Sequence, residues 1–447
     1  LNLDPHMNTP QPTEKRGPLA GLMQAMSKIE PNEVKAAFAS FAFVFILMTA
    51  YNILKPVRDS MASDWSDAEV SWLWTINLFV TLGMNLLYSL ALSVARLKVV
   101  VPALYAFFAA SFLVFAFGSD YFSNTELVNK AFYVWISMFA LFHVSVFWSF
   151  MADLFNKEQA KRLFGFIATG ASVGGLVGPL VPVFLAKVVS NEGLMVMAAV
   201  MLVLVIPTIA YLERLKVTDL HNADNADTPA KQTLGGNPFA GFTLLLKSPF
   251  LLGIAVFLFF YTSLGSFIYF ELKNLLKPYD PEVRTQIQSG ITWAINVLTI
   301  LTAVFATSRL TTRFGMSVAL AIIPVMMIGG LLAVSVVTSV WIVVFAQVVL
   351  KAGNYAITRP AREMLFTLVD RETRFKTKPV IDTLVYRLGD TLNAWSFTAL
   401  SEGLGLGMSP LAIIGAVIAA VWAFMGVVLG RAYHKDKGEV TQGGAAR

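Results

Sequence analysis

The chain has 447 residues, of which 56% are hydrophobic and only 14% are charged. Because an ordinary soluble protein carries about 25% charged residues, this composition excludes a water-soluble globular domain. Lysine and arginine outnumber aspartate and glutamate by 34 to 28, cysteine is absent, and the four histidines are dispersed, so neither a metal nor another cofactor is expected. Apolar segments of about twenty residues recur along the chain and predict an all-α membrane protein.

The hydropathy pattern predicts twelve transmembrane helices. Their predicted bounds are 36–58, 70–94, 99–118, 129–152, 164–188, 193–212, 249–271, 287–308, 314–338, 341–367, 380–401 and 410–430. The chain divides into a cytoplasmic N-terminal segment, a six-helix bundle, a cytoplasmic linker, a second six-helix bundle and a cytoplasmic tail. The corresponding residues are 1–35, 36–212, 213–248, 249–430 and 431–447. Apolar spacing at Gly17–Glu30 indicates either an in-plane amphipathic helix or a disordered lead-in.

Positive charges cluster in the loops after the even-numbered spans, whereas the opposite loops are acidic or sparse in charge. This bias in lysine and arginine places both termini in the cytoplasm. Because the loops account for the basic excess, no nucleic-acid partner is expected. The expected partners are the lipid bilayer and a small solute, and we expect a monomer.

The first span ends in a charged segment, Tyr51–Ser60. Lys55 and Arg58 are three residues apart and share a helix face, and Asp59 lies one turn on from Lys55. A cation at the centre of a membrane helix costs roughly 2.5–3.5 kcal/mol on insertion scales, a cost usually accepted where the charge lines a watery cavity. Lys55 and Arg58 are therefore candidate substrate-binding residues, and Asp59 is a candidate gating residue. The alternative is that the cations are interfacial anchors that snorkel to water.

Polar side chains on three other spans are further candidates. Asn77 lies on a polar stripe and can either line a cavity, which would make it a substrate-binding residue, or bond a neighbouring helix. His143 can carry a proton, and the other interpretation is a packing histidine. Glu271 in the seventh span is a second candidate proton carrier.

Charged segments follow the fourth and tenth spans on the predicted cytoplasmic face. Asp153–Gly165 is interpreted as a charged turn, and Asp370–Lys378 is its counterpart in the second bundle. Because acids are interleaved with bases, these segments can form an ion-pair network that closes the inner gate, or they can act only as positive-inside anchors. The candidate gating residues here are Asp153, Lys157, Glu158, Arg162, Asp370, Arg371 and Glu372.

The tenth and eleventh spans hold the most unusual charges. Lys351 lies about ten residues from the outer end of its span, or ~15 Å at 1.5 Å per residue, which is near mid-bilayer. Arg387 and Asp390 are one turn apart and can pair within their helix. The candidate substrate-binding residues are Lys351, Asn354, Tyr355, Arg359, Arg387 and Asp390, and Asp390 is also a candidate proton carrier.

The two bundles look like an internal duplication. A shift of 214 residues places Asn156-Lys157-Glu158 on Asp370-Arg371-Glu372 and Gly175 on Gly389. Two six-helix halves related by a pseudo-two-fold axis are the architecture of the major facilitator superfamily. In that architecture the substrate lies between the halves near mid-bilayer, and a rocking motion exposes it to each side in turn.

Several stretches resemble bacterial and plastid ATP/ADP carrier relatives. These stretches are Asn52–Ser60, Phe147–Gly165, Arg359–Phe366 and Asp382–Asp390. The resemblance implies nucleotide exchange in a bacterial inner membrane, with Lys55 and Arg58 involved in nucleotide binding.

The sequence thus predicts a transporter and not an enzyme. It contains no Gly-x-x-x-x-Gly-Lys-Ser/Thr loop, which disfavours a pump driven by ATP hydrolysis. The first hypothesis is a secondary transporter of an anionic solute, such as a nucleotide or another phosphorylated metabolite. The alternatives are a proton-coupled transporter of an organic acid, an amphiphilic drug or a siderophore, and a non-transporting receptor or scaffold.

Overall fold

The fold is taken from a computed structural model that describes residues 29–94, 97–118, 124–222, 240–305 and 313–444. The predicted in-plane helix at Gly17–Glu30 lies almost wholly outside these residues, as do residues 223–239 of the predicted linker. The side chains of residues 85–94 and 436–444, and that of the candidate gating residue Arg371, are also outside the description.

The first half of the chain is helical throughout its described part. Its helices are α1 (Val34–Met61), α2 (Asp67–Val94), α3 (Leu97–Gly118), α4 (Thr125–Leu154), α5 (Lys157–Val177) and α6 (Leu180–Thr218). A short 3₁₀ turn, Ala62–Asp64, follows α1. α6 is interrupted at Ser190, whose φ of 60° is outside the helical region, so it comprises two helical segments.

The second half is also helical, but two of its long helical spans consist of several consecutive segments. Its helices are α7 (Ala240–Lys247), α8 (Pro249–Leu276), α9 (Pro281–Phe305), α10 (Gly315–Val336), α11 (Val340–Gly353), α12 (Arg359–Leu365), α13 (Arg371–Pro379), α14 (Tyr386–Thr398) and α15 (Met408–Gly444). A π-helical turn, Asn354–Thr358, joins α11 to α12, and another, Val380–Val385, joins α13 to α14. Such turns are rare and are frequent at functional sites.

Nine segments of the described chain are long and apolar enough to cross a membrane. This number confirms a multi-pass membrane protein, whereas the count of twelve spans stays a prediction. The predicted fifth span is divided between α5 and α6, and the predicted eleventh span begins with the π turn that precedes α14. The charged starts of α5 and α13 lower the apolar content of these segments.

Each half has its own hydrophobic core, and a third cluster joins them. The third cluster contains Trp65, Leu73 and Tyr133 from the first half, and Phe270 and Phe397 from the second. Lipid tails are as apolar as leucine, so close van der Waals contact between helices has to supply much of the association energy.

Glycines in α5 provide such contact with α1. A Cβ atom at Gly170 would come within 2.6 Å of the Phe41 carbonyl oxygen, and one at Gly174 would come equally close to that of Phe45. Substitution at either position would therefore push the two helices apart.

The structure corrects the interpretation of the two charged segments as turns. α5 begins at Lys157, because the Asn156 side chain accepts hydrogen bonds from the backbone N–H groups of Glu158 and Gln159 at 3.0 and 2.9 Å. α13 begins at Arg371, because the Asp370 carboxylate accepts from the Thr373 N–H at 2.9 Å. This hydrogen bond also holds the pKa of Asp370 below its usual value. Both segments are therefore mainly helical.

Candidate functional site

A cavity of about 450 Å³ lies between the two halves. Helices α1, α2 and α4 line it from the first half, and α8, α9, α11 and α14 line it from the second. The predicted charged and polar residues that line it are Lys55, Arg58, Asp59, Asn77, Lys351, Tyr355, Arg387 and Asp390. Asn354 and Arg359 are not among its lining residues, and Arg359 is exposed elsewhere on the surface.

Two of the four cavity cations have a carboxylate close by. Arg58 lies 2.6 Å from Asp59, so the charges of this pair are largely compensated. Arg387 and Asp390 are 4.0 Å apart, which agrees with the predicted contact within one helix. Four basic groups against two carboxylates give the cavity wall an excess of two positive charges.

The excess is carried by Lys55 and Lys351. The Lys55 ammonium donates to the Thr292 hydroxyl at 3.4 Å, and the Lys351 ammonium lies 5.5 Å from the ring centroid of Tyr261. In the part of the chain that the structure describes, neither ammonium lies within 4.0 Å of a carboxylate. A charge removed from water needs compensation, so this site suits an anion.

Tyrosine side chains surround these charges. Tyr51, Tyr261 and Tyr386 line the cavity together with the predicted Tyr355. The sequence prediction gave these three no binding role, although one signal was available. Tyr51 precedes Lys55 by four residues and Tyr355 follows Lys351 by four, and residues at this spacing share a helix face.

Three aromatic residues close one end of the cavity, and we call them the aromatic roof: Trp74, Tyr133 and Tyr269. The Trp74 indole donates to the Tyr133 hydroxyl at 2.7 Å, and the hydroxyls of Tyr133 and Tyr269 are 2.9 Å apart. Tyr269 belongs to the second half and the other two belong to the first, so the roof spans the seam between the halves.

Beyond the roof, polar residues seal the same end of the bundle, where α1 ends and α2 begins. We call this group the outer closure: Asp64, Asp67, Lys273, Arg284 and Glu402. Two ion pairs cross the seam here, Asp67 with Lys273 and Asp64 with Arg284. The Glu402 carboxylate accepts from the Asp67 backbone N–H at 2.6 Å. By the predicted orientation, this end is the outer one.

At the opposite end, the ion pairs of the described residues stay within one half. Asp153 pairs with Lys216 at 2.7 Å, and Arg162 pairs with Glu30 at 2.9 Å and with Glu33. The hydrogen bond to Glu33 raises the pKa of Arg162 above its usual value.

The remaining gating candidates at that end follow the same pattern. Glu158 pairs with Lys161 at 2.8 Å within α5, and Glu372 pairs with Lys376 within α13. Lys157 is exposed and makes no ion pair with the described residues. The cavity is thus closed towards the outer closure, and the gating role of these residues stays a prediction.

Two candidate proton carriers lie outside the cavity lining. The His143 ring packs 4.7 Å from the Tyr51 ring and 5.0 Å from the Phe139 ring, and its Nδ1 lies 2.9 Å from the Phe139 carbonyl oxygen. Glu271 is buried, and neither carboxyl oxygen has a hydrogen-bond partner among the described residues. Both proton-carrier assignments stay predictions.

Comparison with known proteins agrees with a helical transporter fold built from two halves. A family model described as Major Facilitator Superfamily matches residues 37–374. ADP,ATP carrier protein 1 of Chlamydia trachomatis is 21% identical over 92% of this chain and 88% of the relative. ADP,ATP carrier protein 1 of Chlamydia pneumoniae is 22% identical over 65% of each chain.

Solved transporter structures share the fold. The nucleoside transporter NupG aligns with a TM-score of 0.62 at 12% identity, covering 90% of this chain and 99% of NupG. A bacterial homologue of the human lysosomal transporter Spinster, in an inward-facing and unoccupied conformation, aligns with a TM-score of 0.59 at 13% identity, covering 91% and 98%. At these identities the likeness concerns the fold alone.

Proposed function

Because the chain belongs to the Major Facilitator Superfamily, we propose that it is a secondary transporter that moves an anionic solute by alternating access. The solute class is a nucleotide or another phosphorylated metabolite, and counter-exchange is the mode of transport. The protein works as a monomer in a bacterial inner membrane, with both termini in the cytoplasm.

The observation that carries this proposal is the pair of uncompensated ammonium groups of Lys55 and Lys351. They come from opposite halves, and both line the same cavity. Phosphate oxygens bound between them would bring the halves together, because each half supplies one of the attractive charges. A cavity of about 450 Å³ is also within the range of about 300–1,000 Å³ that small-molecule sites occupy.

Two further observations support a nucleotide. The cavity tyrosines offer flat ring faces against which a base can stack, a contact worth about 1–3 kcal/mol per base in nucleic-acid sites. The relatives over most of the chain are named ADP,ATP carriers.

The test is uptake of labelled ADP and ATP into liposomes that contain the purified protein, with and without unlabelled nucleotide inside. We expect uptake that requires internal nucleotide, and its loss in Lys351→Gln. The matched control is Lys187→Gln, because Lys187 is exposed and is not among the residues that line the cavity. Absence of exchange by the wild-type protein would overturn the nucleotide assignment.

A proton-coupled transporter of another solute is the second candidate, and the buried Glu271 carboxyl favours it. An unpaired buried carboxyl is best accommodated without charge, so it can take up a proton when its surroundings change. Uptake that collapses with the pH gradient and ignores internal solute would select this candidate over exchange.

A further inference from the structure

We propose that Arg58 is a positioning residue that holds the aromatic roof closed, and that the substrate's charge is met by the lysines instead. This inference rests on the proposed transport function. It assigns different roles to Lys55 and Arg58, although the two cations lie within one turn of α1.

The contacts of Arg58 are directed at the first half and the roof. Its Nε and Nη2 donate to Asp59 Oδ1 at 2.9 and 2.6 Å, and its Nη1 donates to the Ser137 hydroxyl at 3.1 Å. The guanidinium carbon lies 5.2 Å from the centroid of the Tyr133 ring. Each of its three nitrogens therefore already has a protein acceptor, and its charge is compensated by Asp59.

These contacts fix one face of α4. Ser137 and Tyr133 are one turn apart, and the Ser137 hydroxyl donates to the Tyr133 carbonyl oxygen at 2.9 Å. Arg58 touches both residues, so it holds the Tyr133 ring in one orientation. Only an aligned Tyr133 hydroxyl can meet both Trp74 and Tyr269, which makes the guanidinium a support for the bond across the seam.

Lys55 differs from Arg58 in every one of these respects. It makes no hydrogen bond or cation–π contact with Tyr133, Trp74 or Tyr269, and its ammonium donates to Thr292 of the second half. The difference explains why an arginine suits position 58. A guanidinium can bind a carboxylate, a hydroxyl and a ring face at once, whereas an ammonium is a point charge.

A single cysteine can report the opening of the roof, because this 447-residue sequence contains none. Ser71 is fully buried, and its hydroxyl lies 2.8 Å from that of Thr398 across the seam. In a Ser71→Cys variant in detergent without ligand, the rate of maleimide labelling measures how often this end opens. Adding Arg58→Lys is expected to raise the rate about two- to tenfold, the factor that corresponds to losing one hydrogen bond.

Tyr133→Phe is the second variant, and it should raise the rate by a similar factor because it removes the bond to Tyr269. Tyr105→Phe is its matched control, because the Tyr105 hydroxyl donates to the His143 carbonyl oxygen inside the first half. We expect the control to label at the parent rate even where it lowers the melting temperature.

Addition of ADP to the same proteins distinguishes the role of Lys55 from that of Arg58. We expect Lys55→Gln to lose stabilisation by ADP while its labelling rate changes less than that of Arg58→Lys, because its 3.4 Å bond to Thr292 lies outside the roof. We expect Arg58→Lys to keep the stabilisation by ADP. Labelling at the parent rate in both Arg58→Lys and Tyr133→Phe would overturn the inference, as would a lower melting temperature without faster labelling. If the wild-type protein does not bind ADP, the proposed solute fails, but the labelling experiment still decides the role of Arg58.

Discussion

The Lys273 ammonium lies 2.9 Å from the Asp67 carboxylate, and the two residues come from opposite halves. Their side chains are only 1% and 5% exposed. Lys273 also donates to the Trp65 carbonyl oxygen at 2.7 Å, and Asp67 also accepts from the Ser401 hydroxyl at 2.7 Å. A buried ion pair is tolerated when further hydrogen bonds support its partners, and here each partner has at least one.

We therefore predict that Lys273→Gln opens the outer closure. Breaking a buried ion pair on one side costs about 3–5 kcal/mol. The cost falls on the closed state alone, because water reaches Asp67 once the halves separate. Labelling of the Ser71→Cys reporter should accelerate by more than about tenfold, which corresponds to 1.4 kcal/mol.

The matched control for this prediction is Arg362→Gln. Arg362 pairs with Asp382 at 2.9 Å, and both residues belong to the second half. Its loss should lower the melting temperature and leave labelling unchanged. Equal acceleration in both variants would mean that labelling reports general destabilisation, and the prediction would fail.

The sequence revealed Lys55 and Lys351 because a charge inside an apolar run stands out without knowledge of its neighbours. It did not reveal the Asp67–Lys273 pair, because the sequence around each residue does not indicate which face of its helix packs against the other half. The 214-residue shift between the halves pairs Asp59 with Lys273, but Lys273 lies in the outer closure and not in the cavity lining. A repeat constrains helix order more strongly than it constrains side-chain surroundings.

Arg359 shows a second limit of sequence periodicity. Lys351, Tyr355 and Arg359 are spaced by four residues, which places them on one face of a regular helix. The π turn at Asn354–Thr358 adds a residue and rotates the following helix by about 100°. Arg359 consequently lies outside the cavity lining, and no residue pattern in this stretch predicted the π turn.

We predict that stabilisation by nucleotides increases with the number of phosphates. Adenosine, AMP, ADP and ATP differ mainly in negative charge, and two uncompensated ammonium groups face the cavity. A ligand at 100 times its Kd stabilises the folded state by about 2.7 kcal/mol, which a shift in melting temperature detects. ADP and ATP should raise the melting temperature, and adenosine should have little effect.

The charge dependence should disappear when the ammonium groups are removed. Lys55→Gln combined with Lys351→Gln should abolish the difference between ATP and adenosine, and Lys187→Gln should retain it. A full ATP shift in the double variant would show that other groups bind the phosphates.

We predict that Glu271→Gln preserves both the fold and nucleotide exchange. The Glu271 carboxyl is buried without a hydrogen-bond partner among the described residues, so an uncharged amide of the same shape removes no observed interaction. Asp67→Asn is the contrasting variant, because it neutralises a buried carboxylate that has several partners. Its melting temperature should fall, while that of Glu271→Gln should stay close to the wild-type value. Loss of uptake driven by a pH gradient in Glu271→Gln would instead favour the proton-coupled candidate.

The final prediction concerns the inner gate. In this structure the charged starts of α5 and α13 pair within their own halves, while the halves join at the outer closure. If the same charges pair across the seam when the outer end is open, their removal should destabilise that outward-open state. Lys157 is the best test, because it makes no ion pair with the described residues and its loss leaves the present state intact.

Lys157→Gln should therefore slow labelling of the Ser71→Cys reporter, which is the opposite of the effect of Lys273→Gln. The decrease is best measured in the Lys273→Gln background, where the starting rate is high. An exposed ion pair contributes at most about 1 kcal/mol, so the expected decrease is about fivefold or less. Lys161→Gln is the matched control, because Lys161 is 71% exposed and already pairs with Glu158 in α5. Equal rates in the two variants would assign these segments to membrane anchoring, since anchoring charges have no preference for one state of the cycle.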